Sequence, residues 1–401
     1  MTLEKRNLYR LPWSMNDNPI AWLEVTDICN LRCEGCYRQH MTGHKSLEEV
    51  KAEVDFFIKW RNPDNFSIAG GEPLIYPHIV ELVAYMASRG IKPVILTNAM
   101  ALTPALLKEL KRAGLAGFTI HIDSHQGRPH WEGKNEGDLN ALRQQLAEMI
   151  AAEGGMYVIF NSTVYPSTFH EIPDVVRWGR EHIDIVNGLV FITYRTATTD
   201  NTIGTDLHDQ QVDLSKLSYV RESFDEHFVT SPEVHDLIRQ HFPEYQAGAY
   251  LGGSIRLDSY KWLIGALVGS PGVYYGPVGK RGMELAQVGH HLFTGRYLAY
   301  LSQARIGGKI FLLAPWDAGL RQGWGRRLRD VGRWLKPVYV QSIGIIQAPD
   351  TQPDGRVDMC DSCPDITIYN GQFVNSCRMD EYRLFGGFLS VVEKDEPQER
   401  P

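Results

Sequence analysis

Between residues 20 and 195 short apolar runs alternate with amphipathic ones six times, and that rhythm leaves few folds open. Trp22–Thr26, Phe66–Ala69, Val94–Leu96, Phe118–Ile122, Tyr157–Phe160 and Leu189–Thr193 read as strands. Between them lie helical patterns. One opens at Ser46-Leu47-Glu48-Glu49, a capping box, and carries Leu47, Val50, Val54, Phe57 and Ile58 at helical spacing. Another opens at Thr103-Pro104, an N-cap followed by proline at the first helical position. Six βα repeats imply a parallel sheet with right-handed crossovers. Chemistry in such sheets gathers at the C-terminal ends of the strands.

The polar residues gather there. A cysteine loop follows the first strand, Gly70-Gly71-Glu72-Pro73 the second, Thr97-Asn98 the third and Asp123-Ser124 the fourth; Asn161 lies on the fifth. The loop reads TDICNLRCEGCYRQH and places Cys29, Cys33 and Cys36 at C-x3-C-x2-C spacing. Three thiolates can hold three irons of a [4Fe–4S] cube and leave the fourth iron open, whereas a cluster that only carries electrons usually has four cysteines. The alternative is a zinc site completed by His40 or His44.

CNLRCEGC, AGGEP and their order in a (βα)6 pattern resemble the radical SAM superfamily over roughly residues 20 to 195. The resemblance implies a partial (βα)6 barrel, α/β in class. It implies a [4Fe–4S] cluster on Cys29, Cys33 and Cys36, and S-adenosylmethionine (SAM) chelating the open iron. It also implies a 5′-deoxyadenosyl radical that abstracts hydrogen from substrate. In that picture Gly70 and Gly71, lacking Cβ, let the backbone approach the methionine moiety, and Glu72 helps to shape the segment. Thr97, Asn98, Asp123, Ser124 and Asn161 are candidates for the SAM carboxylate and ribose hydroxyls, although short polar residues after strands are also ordinary loop-formers. One departure stands out. Many members carry an aromatic residue just before the third cysteine, where this chain has Gly35, with Tyr37 after the cysteine.

A second triplet, Cys360, Cys363 and Cys377, lies in MCDSCPDITIYNGQFVNSC. Asn370-Gly371 reads as the centre of a hairpin that would return Cys377 towards the other two. The segment loosely resembles the cysteine lobes of SPASM and twitch enzymes and implies an auxiliary Fe–S cluster, with Asp358, Asp361, substrate or nothing as fourth ligand. A zinc knuckle is the alternative.

The chain then divides into an N-terminal arm (1–20), the partial barrel (21–199), a mostly helical, aromatic and Gly-rich substrate-covering region (200–350) and a cysteine lobe (351–401). In the third part Leu214–Phe228 and Met283–Leu301 read as helices, with His290 and His291 as packing residues. Arg321–Lys336 reads as a basic amphipathic helix. Trp324, Leu328, Val331 and Leu335 share one face, and Arg326, Arg329, Arg333 and Lys336 another. Such a helix suits an anionic membrane surface or packs its apolar face on the core with the basic face solvated.

The 401 residues carry a net charge of −7, which argues against a general nucleic-acid binder. The N-terminus lacks an apolar signal region. Six cysteines in two triplets read as metal ligands in a reducing cytoplasm, peripheral to a membrane if the basic helix binds one. The expected activity is radical attack on an unactivated C–H bond, with a flavodoxin- or ferredoxin-type electron donor. A lipid or isoprenoid-like substrate competes with a peptide. Nothing like a leader-peptide-binding domain is read in the first twenty residues, and no cobalamin domain is read before the barrel. A non-catalytic Fe–S or zinc protein on a barrel scaffold is the reading from another class.

Overall fold

The computed structural model describes the chain except residues 1–2, 37, 39–42, 195–196, 199–202, 208–209, 212–216, 218–219, 222–227, 257, 301–306, 352–356, 389 and 394–401. After a short strand β1 (Tyr9–Arg10), six parallel strands follow in register: β2 (Ile20–Thr26), β3 (Asn65–Gly70), β4 (Lys92–Thr97), β5 (Gly117–His121), β6 (Tyr157–Val164) and β7 (Gly188–Thr193). The crossovers carry α1 (Leu47–Arg61), α2 (Ile79–Ser88), α3 (Pro104–Arg112), α4 (Asn140–Glu153) and α5 (Ile172–Glu181). Ser46 caps α1 by accepting from the Glu49 N–H at 3.2 Å, and Thr103 caps α3 by accepting from the Leu106 N–H at 3.2 Å. The expected partial (βα)6 barrel is present.

One face of each strand packs on the helices. Leu23, Val25, Phe66, Ile68, Ile95, Phe118, Ile120, Leu189 and Phe191 are buried there against Val50, Val54, Phe57, Leu82 and Leu107. The opposite face turns into the barrel. At the strands' N-terminal end that interior is closed by an apolar cluster of Val94, Tyr157 and Ile159, with Tyr300 stacked on Tyr157 at a centroid distance of 5.4 Å. The polar rim lies at the other end.

The region expected to be mostly helical adds strands to the same sheet. Short pairs outside the barrel are β8 (Ala197–Thr198) with β11 (Val220–Arg221), and β9 (Ile203–Leu207) with β10 (Gln210–Gln211). After α6 (Ser231–His241) come β12 (Ala249–Leu251), β13 (Trp262–Ser270) and β14 (Val273–Pro277), then α7 (Lys280–Thr294), α8 (Ala318–Arg329) and β15 (Tyr339–Ile346). β15 pairs parallel with β7 and antiparallel with β13. Its sequence, YVQSIGII, has the β-branched content that a strand buried between two neighbours requires. The expected helix at 283–301 runs from Lys280 to Thr294. The one expected at 214–228 falls mostly outside the described residues, and within it Val220–Arg221 form the strand β11 instead.

Near the C-terminus β16 (Asp350–Thr351) pairs with β17 (Val357–Asp358), and a hairpin of β18 (Ile366–Tyr369) and β19 (Gln372–Asn375) packs beside the edge strand β2. Its two-residue turn has Asn370 at φ 48° and Gly371 at φ 74°, the left-handed pair that the Asn-Gly sequence leads one to expect. Phe373 anchors the hairpin on α1, with its ring 5.2 Å from that of Phe56 and 5.4 Å from that of Phe57.

Candidate active site

The cysteine loop leaves β2 at Thr26, whose hydroxyl accepts from the Ile28 N–H (3.1 Å) and donates to the Gly43 carbonyl (3.1 Å). Cys29, Cys33 and Cys36 are all free thiols. The Leu31 N–H points at Cys29 Sγ (3.5 Å), and the Cys36 N–H bonds to the Cys33 carbonyl (3.2 Å). Burial raises all three thiols. Nearby Asp123 and the other two cysteines push Cys33 further, up to about 12. Arg128 opposes the rise at Cys33 without overcoming it, and an iron–sulfur cation would supply the further positive charge that the ionised sulfurs require. A single tetrahedral ion would need its thiolates within about 2.3 Å of one point. Among the described residues no three Cys, His, Asp or Glu side chains are drawn together in that way. His40 lies outside the described residues, and the His44 ring sits against Tyr76 at 6.0 Å.

The β3 end is sewn to this loop. Gly71 N–H donates to the Thr26 carbonyl at 2.7 Å and Glu72 N–H to that of Ile28 at 2.8 Å. A Cβ on Gly70 (φ +119°) would fall 2.3 Å from Thr26 O, and one on Gly71 2.1 Å from Ile28 O. The glycines therefore make room for the cysteine loop's own backbone.

Glu72 is buried, and its carboxylate accepts from Leu74 N–H (2.9 Å), the Thr97 hydroxyl (2.5 Å) and Asn98 N–H (2.7 Å). Burial raises its pKa and those three donors oppose the rise. Thr97 is thus engaged in holding Glu72. Asn98 reaches the cysteine loop, donating to Asn30 Oδ1 (2.7 Å) and lying 3.9 Å from Cys29 Sγ.

On the far side Asp123 bonds to His121 Nε2 (2.8 Å) and accepts from His125 N–H (2.9 Å). Burial pushes its carboxyl up, but His121 and the backbone donors outweigh that and hold it below the ordinary value. Ser124 Oγ and Asn161 Oδ1 are buried without any hydrogen-bond partner, as is Nε of the nearly buried Arg128. Arg128 Nη2 holds the Asn98 carbonyl (2.8 Å) and Gln126 Oε1 (3.0 Å). Orphaned polar atoms on the rim of a parallel barrel fit a polar ligand with carboxylate and hydroxyl groups. Arg128, His121, His125, Thr163 and Tyr165 were not among the residues the sequence pointed to. His125 Nδ1 pairs with Glu34 Oε2 (2.7 Å), and its ring stacks on Tyr165 at 4.0 Å.

Residues 23–179 match the family model of the radical SAM superfamily. This stretch is a radical SAM domain. Its cofactors are a [4Fe–4S] cluster and SAM. The chain is 30% identical to an AdoMet-dependent heme synthase of Nitratidesulfovibrio vulgaris over 163 residues, which are 39% of this chain and 43% of that one. It is 32% identical to a GTP 3′,8-cyclase of Alkaliphilus oremlandii over 139 residues, 32% and 42% of the two chains. It is 29% identical to a 7,8-dihydro-6-hydroxymethylpterin dimethyltransferase of Methanocaldococcus jannaschii, covering 43% and 35%. The chain spans less than half the length of each of these relatives. Among solved structures it is similar to Streptococcus suis SuiB bound to S-adenosylmethionine, at 16% identity and a TM-score of 0.37, covering 45% of this chain and 42% of that one.

The C-terminal lobe grips the radical SAM domain at the cysteine loop. Arg38, two residues beyond Cys36, pairs with Glu24 and with Asp380 Oδ1 (3.3 Å) and donates to Ser376 Oγ (3.3 Å). Arg383 Nη1 pairs with Asp27 Oδ1 at 2.7 Å. Cys360 and Cys363 lie side by side, and the charge of Cys377, on the turn after the hairpin, bears on Arg38. Both aspartates considered as fourth ligands are otherwise engaged. Asp358 accepts from the Ile255 and Arg256 N–H groups (2.8 and 3.1 Å) and lies 3.4 Å from Lys261 Nζ, while Asp361 pairs with Arg10.

Proposed function

We propose that this chain is a radical SAM enzyme acting on an unactivated C–H bond of a lipid or isoprenoid-like substrate. When bound, the cluster and SAM supply a 5′-deoxyadenosyl radical for hydrogen abstraction. The observation that carries the proposal is the shared rim. The loop that carries Cys29, Cys33 and Cys36 is held by Gly71, Glu72 and Asn98 on one side, and the unpartnered Ser124 Oγ and Asn161 Oδ1 lie after β5 and on β6. Cys29, Cys33 and Cys36 would hold the cluster. Asn161 and Ser124 would receive the ligand's hydroxyls or carboxylate. The His125–Tyr165 stack offers a flat face beside Gly35.

An apolar substrate is favoured by the wall below that rim. Leu96, Val190 and Ile192, half-buried on the strand faces turned away from the helices, give that wall an apolar stretch beside the polar Ser67, Thr119 and Asn161. The test is anaerobic reconstitution with dithionite and SAM. Formation of 5′-deoxyadenosine above a Cys33→Ala control is expected, and an equal yield would overturn the catalytic reading. Stimulation of that yield by polyprenyl or acyl compounds supports the substrate class; stimulation by peptides alone rejects it.

A further inference from the structure

Residues 307–338 turn an apolar and basic surface to solvent, and the way they do so is built into the packing. α8 lies on β14 through its glycine side. A Cβ on Gly319 would fall 2.4 Å from Pro277 O, and one on Gly276 3.2 Å from Gly323 Cα. Gly319, Leu320, Gly323 and Arg327 therefore take the inner face. Trp324 and Leu328, one helical turn apart, are left outside. The expectation that Trp324 and Leu328 pack on the core is thereby corrected: Gly319, Leu320 and Gly323 take the packed side and those two do not.

The chain beyond α8 continues the surface. Trp334, 56% exposed, donates from Nε1 to the Leu328 carbonyl at 3.2 Å, and Val331 and Leu335 are exposed with it. On the other flank Phe311 packs on Trp324 with ring centroids 5.1 Å apart, while Leu312 and Trp316 (65%) face solvent. This is not a frayed end. Buried Arg327 donates to Tyr275 Oη (2.9 Å) and to the carbonyls of Arg333 (2.5 Å), Trp334 (2.8 Å) and Lys336 (3.1 Å), fixing the segment that displays them.

Charge identifies the partner. Between Gly307 and Val338 seven Lys and Arg face two Asp, in a chain whose net charge is −7. Asp317 is buried, and Asp330 is partly buried and pairs with Arg333 at 3.2 Å. Asp317 caps α8 at Leu320 N–H (2.9 Å) and holds Gly282 N–H (2.8 Å), and Asp330 accepts from Tyr275 Oη (3.2 Å). Lys309, Arg321, Arg329 and Lys336 are exposed.

We infer that this face docks on an anionic lipid bilayer. Tryptophan and leucine enter the interface while lysine and arginine meet the headgroups. No helix among the described residues is long and apolar enough to cross a membrane, so the contact is lateral. The face lies by β14, which pairs with the end of β13 opposite the N-terminal start of β15, at the end of the sheet away from the cysteine loop. It thus stands independently of the proposed radical chemistry.

The test is flotation of the full chain with phosphatidylcholine vesicles and with phosphatidylcholine–phosphatidylglycerol vesicles. Binding only to the anionic vesicles is expected, weakening as salt rises. Arg329→Glu with Lys336→Glu should weaken it at least ~10-fold, since each basic residue near such a surface is worth roughly a factor of five. Trp324→Ala with Trp334→Ala should weaken it similarly while the chain stays folded by circular dichroism. Equal binding of wild type and variants, no binding at all, or a concentration-dependent dimer in light scattering that the tryptophan variant abolishes would each overturn the inference.

Discussion

Gly35 and Tyr165 occupy one space from opposite sides: a Cβ on Gly35 would lie 2.5 Å from Tyr165 Oη and 3.3 Å from Thr163 Cγ2. The missing aromatic before the third cysteine is therefore matched by an aromatic ring from the end of β6, stacked on His125. Gly35→Phe should collide and depress 5′-deoxyadenosine formation. Gly35→Phe with Tyr165→Ala should recover much of it. The expected coupling is about 1–2 kcal/mol, typical of residues in contact. An additive double mutant would show that the two do not exchange roles.

The glycine pair after β3 makes a sharper prediction. Gly71→Ala would set a methyl 2.1 Å from the Ile28 carbonyl, and backbone cannot step aside as a flexible side chain can. We expect a loss of about 1–3 kcal/mol in unfolding free energy together with a lower iron content after reconstitution. Gly90→Ala serves as the control: its Cβ meets nothing within 4 Å, although its φ of +73° carries its own backbone cost. Only Gly71→Ala should impair cluster loading.

Much of this arrangement is legible in the sequence because parallel strands buried on both faces leave a local trace. The apolar runs, the caps at Ser46 and Thr103 and the polar strand ends are neighbours in the chain. What escapes is long-range. β15 joins β7 across the whole intervening region, and Gly265, Gly269 and Gly344 interrupt the hydrophobic pattern of the strands that carry the sheet onward. Arg128 and Tyr165 show no periodicity; their roles come from where the β5 and β6 ends lead. Gly319 and Gly323 of α8 weaken a helix by propensity, yet they lie on its packing face, so propensity and tertiary contact pull in opposite directions.

Asp123 sets a pH dependence with a definite sign. Its folded pKa lies below the ordinary value, so the unfolded chain takes up its proton first as pH falls. The stabilisation is fully present above about 3.9 and is lost as pH drops through the folded value. In urea unfolding of the apo-protein between about pH 3 and 6, the gap between wild type and Asp123→Asn should be largest at the upper end and narrow towards the lower. A gap that widens on acidification would contradict the assignment.

Arg38 ties two parts of the chain together. Its guanidinium meets Glu24, buried in β2, and Asp380 of the C-terminal lobe. Arg38→Ala leaves the Glu24 carboxylate buried without its cation, which costs about 3–5 kcal/mol when such a pair is broken on one side. Hydrogen exchange should accelerate both in residues 27–36 and in residues 376–385. Acceleration confined to one of the two would mean that the lobe and the loop do not rely on a shared anchor.

The second cysteine triplet yields the last prediction. Cys363 is buried beside Cys360, and its thiol is raised by the hydrogen bond with that neighbour and by burial. A buried thiol pair of this kind is inert as a nucleophile but becomes a good donor once a metal displaces its protons. Cys377 follows the hairpin that the Asn370-Gly371 turn closes. We expect reconstituted wild type to carry about eight irons per chain, two cubes' worth, and a Cys360→Ser/Cys363→Ser variant about four, with the SAM-responsive EPR signal retained. Loss of that signal would place the second triplet at the SAM-binding cluster. A wild-type iron count of about four with bound zinc would identify a knuckle instead, leaving Cys29, Cys33 and Cys36 as the iron–sulfur site.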